Sequence, residues 1–162
     1  MKRLRSSREK FQFEIRREEK ALLLQVLRLY PLVPAAHHRL SRGRQIPDPA
    51  ENQELLEESL DARRRENRQQ VESLLNEPGR FVECPAGYQA GFTRGEIEWL
   101  LQVLNDVRLG SWIALGAPDP EQEIQKRLRP QTASHVMAMD VAGFFEMSFL
   151  RAVSGRPQPG HD

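Results

Sequence analysis

The apolar positions of this chain fall into helical stripes along most of its length, with one short alternating segment near the start. Phe11, Phe13 and Ile15 alternate with Gln12 and Glu14, the period of a half-buried strand. With Lys2 to Ser6 they predict a β-hairpin turning at Ser7-Arg8-Glu9, which must pack on helices to be stable. Arg17 to Tyr30 predicts a leucine-rich helix, with Glu18 and Glu19 in its first turn, Arg28 in its last, and Pro31 as its stop. Leu32 and Val33 then continue into the core. Residues 35–40 predict a short helix, and 41–49 a polar loop.

A longer helix is expected from Asp48 or Pro49 through about Glu77. Its middle, DARRRENRQQ, carries no large aliphatic residue, so the helix is wet there or breaks there. Arg80 to Glu83 reads as extended, and Pro85 to Gly91 as a glycine-bearing loop. Thr93 to Gly116 is the best-specified helix. Thr93 and Glu96 form a capping box, and Gly116 suits the positive φ that follows a helix end. Ile97, Leu100, Leu101, Leu104, Arg108, Ser111 and Leu115 share one face of it; Trp99, Val103, Asp106 or Val107, Gly110 and Ile113 line its neighbour. Asp119 and Pro120 start a short helix over 121–128. Thr132 or Ser134 starts the last helix, which runs to Val153 and is apolar nearly all round. The expected fold is mainly α, a single-domain helical bundle over residues 1–155 with a short N-terminal β-hairpin and a flexible tail at 156–162.

Composition narrows the functional classes. No run is long and apolar enough for a membrane span, and no signal segment follows the basic start, so a cytoplasmic protein is expected. With Cys84 as the single cysteine, no internal disulfide can form. Charge is uneven. Residues 1–44 hold 12 Lys or Arg against 4 Asp or Glu, a local net of +8, and the remainder holds 12 against 19, a local net of −7. Such asymmetry marks a surface for an acidic partner or nucleic acid, or two halves that attract each other within one fold.

Candidate chemistry is sparse. Arg108 emerges among apolar side chains and needs a partner there, and Asp140 and Glu146 are the candidates. Adjacent histidines such as His37 and His38 point apart on a helix, so no metal site is expected. The 85–91 loop is not a phosphate-binding loop of the Walker type. Neither a cofactor nor a catalytic constellation is expected. Arg3, Arg5, Arg42 and Arg44, with Arg63, Arg64, Arg65 and Arg68, form a candidate binding patch. Within the second cluster, helical salt bridges to Glu57, Glu58, Asp61 and Glu66 are the competing expectation.

The stretch from Glu98 to Leu109, with Ile113-Ala114-Leu115-Gly116, resembles a bacterial domain-of-unknown-function family with a WLxxLNDxRLxxG-like motif. That family is often encoded beside the ClpS protease adaptor in actinobacteria. The resemblance implies a small helical cytoplasmic protein with no established enzymatic activity, in which Trp99, Asn105, Asp106 and Arg108 belong to the motif. Some members carry a transcription-regulator label tied to paired cysteines, a pairing Cys84 alone cannot make. The expected function is therefore a regulatory protein–protein interaction module, linked to transcription or proteolysis. The alternative is nucleic-acid binding through the arginine clusters, and the apolar helix 132–153 is a candidate homodimer surface.

Overall fold

The structure is a computed structural model that describes residues 1–6, 10–33, 49–118 and 129–155. The predicted hairpin is present. Strands β1 (Lys2–Ser6) and β2 (Lys10–Ile15) pair antiparallel, with a bulge between Arg3 and Arg5. The sheet does not stop there. β3 (Phe81–Cys84) and β4 (Gly87–Thr93) form a second hairpin, and β4 pairs with β2, giving a four-stranded antiparallel sheet ordered β1-β2-β4-β3. The expectation of a helical bundle with one hairpin is corrected accordingly, and the loop expected over 85–91 is mostly strand.

Glycine explains why β4 escapes a reading of local pattern. Gly87 and Gly91 interrupt an alternation of Tyr88, Ala90 and Phe92, yet both lie close against the neighbouring strand. A Cβ at Gly87, whose φ is +135°, would lie 2.5 Å from the Ile15 carbonyl oxygen. A Cβ at Gly91 would press on the Gln12 side chain at 2.9 Å. In a strand, glycine marks such close approach.

Four helices cover one face of the sheet and account for most of the described residues. They are α1 (Arg17–Leu27), α2 (Pro49–Leu75), α3 (Arg94–Ala114) and α4 (Ala133–Val153). The short helices expected over 35–40 and 121–128 lie outside the described residues, as do the 41–48 part of the polar loop and the 156–162 tail. α2 runs unbroken through its polar middle and, among its side chains described from residue 53 on, buries only Val71 and Leu74 near its end. α3 begins as its capping box predicts: the Glu96 N–H donates to Thr93 Oγ1 at 3.2 Å, and the Thr93 N–H to Glu96 Oε2 at 2.8 Å. Gly116 follows its end at φ +82°.

α3 and α4 form the most extensive helix pair. Phe149 of α4 drives into the sheet, meeting Phe13 edge-on at 5.5 Å between ring centroids and Phe92 at 5.7 Å. Aromatic pairs in this tilted geometry stabilise by about 0.5–1.5 kcal/mol beyond the area they bury. One continuous core cluster draws on β2, β4 and all four helices, which is why residues of the sheet and bundle fold as one unit.

Candidate interaction surface

Of the motif residues of α3, Asn105 and Arg108 border one shallow groove, while Asp106 and Trp99 face other neighbours. Asp106 turns toward the segment that follows α1. Its Oδ1 accepts the backbone N–H of Leu32 at 2.7 Å and of Val33 at 3.3 Å. One turn on, Gly110 lies against the same segment, and a Cβ there would sit 2.7 Å from Leu32. Arg64 of α2 donates to the Val33 carbonyl, and Asn67 Nδ2 donates to the Tyr30 hydroxyl at 3.0 Å. Residues 30–33 are therefore gripped from both sides by helices.

Arg108 faces α4 and pairs with Glu146 at 2.5 Å. Glu146 was one of its two expected partners, but the expected burial is reversed. The Arg108 side chain is 51% exposed and that of Glu146 only 9%. The arginine reaches over apolar surface to neutralise a carboxylate that α4 carries inward. Asn105 is exposed. With Arg108, Leu109, Trp112 and Met139 it borders a shallow groove of about 330 Å³ between α3 and α4. Trp99 is half-buried against the core, its Nε1 without a hydrogen-bond partner among the described residues. Asp106 and Arg108 thus serve packing between elements.

The arginine clusters divide. Arg3 and Arg5 stand on edge strand β1, in register with Phe13 and Gln12. Arg42 and Arg44 lie outside the described residues. On α2, Arg63, Arg65 and Arg68 are exposed, while Arg64 is spent on the Val33 carbonyl. Arg68 approaches Glu72 at 3.7 Å, whereas among the described residues no ion pair joins this cluster to Glu57, Glu58, Asp61 or Glu66. Cys84 is half-buried at the end of β3.

The sequence reading missed Arg80, which is 6% exposed. Its guanidinium donates to the carbonyls of Leu74 and Gly91, to both carboxylate oxygens of Glu96, and to Glu77. It also lies over the Phe92 ring at 5.2 Å. The only hint in the sequence is an arginine just after the Glu77-Pro78-Gly79 turn, facing a capping glutamate far along the chain. Burial raises the Glu96 pKa, but hydrogen bonds from Arg80 and the Thr93 N–H outweigh it and hold the carboxyl below its ordinary value.

The outward face of α4 is the open surface. One stripe of the helix, Ala138, Ala142, Phe145 and Phe149, is buried. The other side leaves Met137, Phe144, Met147 and Leu150 between 40% and 50% exposed. So this helix, apolar nearly all round in sequence, is covered on one side only. No cluster of metal-ligating side chains occurs among the described residues, and no described helix is long and apolar enough to cross a membrane. Comparison with protein-family models, curated proteins and solved structures gives no match.

Proposed function

We propose that the protein is a non-enzymatic regulatory module that binds protein through the outward face of α4. The observation that carries this reading is the exposure of Met137, Phe144, Met147 and Leu150 on one helix. Large apolar side chains clustered on a surface mark interaction sites, because their burial against a partner removes them from water. Methionine adapts to irregular partner surfaces, and phenylalanine supplies an anchor. The motif resemblance of α3 directs the first search to transcription and proteolysis machinery.

The test is capture from lysate of the source cells, run with and without nuclease, by the wild-type chain and by F144E/M147E. Both positions are exposed, so the double variant folds, as far-UV circular dichroism checks. A stoichiometric partner lost with the double variant supports the reading. Partners held equally by both proteins overturn it, and recovery that vanishes with nuclease transfers the function to nucleic-acid binding by Arg63, Arg65 and Arg68.

A further inference from the structure

The outward face of α4 is patterned along its length. Met137, Asp140, Phe144, Met147, Arg151 and Ser154 follow one another in alternating steps of three and four residues. That spacing puts them in a single stripe down the helix, the arrangement that meshes with a second helix. Every member is exposed. Asp140 and Arg151 are opposite charges within an apolar row, and neither forms an ion pair among the described residues. Unlike Glu146, the carboxylate of Asp140 has no cation paired with it among the described residues.

The order of this stripe is its own complement when reversed. Laid antiparallel on an identical helix, with the two-fold axis between Phe145 and Glu146, Asp140 falls opposite Arg151 of the second copy. Phe144 then falls opposite Met147, and Met137 opposite Ser154. Each of these contacts occurs twice, as a two-fold interface requires. A parallel pairing in register would instead set Asp140 against Asp140 and Arg151 against Arg151. Like charges apposed in an interface disfavour the wrong arrangement.

We infer that the occupant of this face is a second copy of the same chain, held by antiparallel α4 helices with reciprocal Asp140–Arg151 pairs. The inference rests on the reading of α4 as a docking face and adds to it the partner and the register. The dimer is symmetric, and its charges set the register while Phe144 and Met147 supply the apolar contact.

The experiment is sedimentation equilibrium over a concentration series, on the wild-type chain and on D140R, R151D and D140R/R151D. The wild type is expected to approach twice the 18.7 kDa chain mass. Each single reversal sets like charges face to face at both pairs, and weakens dimerisation by about tenfold or more. The double reversal restores the pairs and brings dimerisation back to near the wild-type level. Since R151D also removes a cation from the last turn of α4, thermal melting of each variant confirms that its fold persists. A wild type that stays monomeric overturns the inference, as does a dimer indifferent to the single reversals or not restored by the double one. The docking reading itself fails separately, if F144E/M147E retains every partner that the wild type captures or if recovery vanishes with nuclease.

Discussion

The Asp106 carboxylate accepts the Leu32 backbone N–H at 2.7 Å across 74 residues of chain. That bond ties the segment after α1 to the middle of α3. The segment has left helical structure, so its amides need acceptors from elsewhere, and Asp106 serves two of them. Replacing Asp106 by Ala is expected to destabilise the fold by about 2 kcal/mol, since both amides lose a charged acceptor. Asp106→Asn keeps an oxygen in place and is expected to lose less. Urea denaturation of the two variants checks the order.

Gly110 serves the same segment by absence of a side chain. Gly110→Ala is expected to destabilise by about 1–3 kcal/mol despite the better helix propensity of alanine, because the new methyl meets Leu32 backbone and side chain together. Gly143→Ala meets nothing within 4 Å and is expected to stabilise α4 by about 0.5–1 kcal/mol. Opposite shifts of melting temperature for these two helical glycines are the expected result.

Arg80 joins the end of α2, β4 and the start of α3. Arg80→Met removes donors from two carbonyls and strands the Glu96 carboxylate, at an expected cost of about 2–4 kcal/mol. The pH dependence follows from Glu96, whose folded pKa lies below the ordinary 4.5. A depressed carboxylate contributes its full stability above the unfolded pKa and loses it as pH falls through the folded one. Wild-type stability is therefore expected to decline below about pH 4.5, with a shallower decline in Glu96→Gln, by thermal melts across an acid series.

Arg108 neutralises the buried Glu146, and most of the cost of losing it falls on the carboxylate left behind. Arg108→Met is expected to destabilise by about 1–2 kcal/mol, discounted because the guanidinium is half in water. Adding Glu146→Gln to that variant is expected to recover part of the loss. A double-mutant cycle measures the coupling.

Ser111 is fully buried, and its hydroxyl has no hydrogen-bond partner among the described residues. Ser111→Ala removes that unsatisfied group without opening a large void. The variant is expected to be as stable as the wild type or up to about 1 kcal/mol more stable. Chemical denaturation decides it.

Local signals located most of the helices and the first hairpin. The Thr93–Glu96 box, the stop at Pro31 and the glycines at 116 and 155 act through neighbouring atoms, so they are readable one stretch at a time. β4 was hidden because its glycines look like a loop until Ile15 and Gln12 are placed beside them. Arg80 was hidden because its partners come from α2, β4 and α3 at once. For Arg108, spacing named the partner but misjudged which member is buried, since burial depends on how α4 rotates against α3.

By itself, the sequence determined where the four described helices lie to within a few residues, that the chain carries one cysteine, and that its charges divide between the two ends. Those properties depend on residue identity and short spacing. The tertiary structure decided that two hairpins merge into one sheet and that Asp106 and Gly110 grip the segment after α1. It also decided which side of an almost wholly apolar α4 remains open. These outcomes depend on packing between elements far apart in the chain, where one rotation of a helix selects the side chains removed from water.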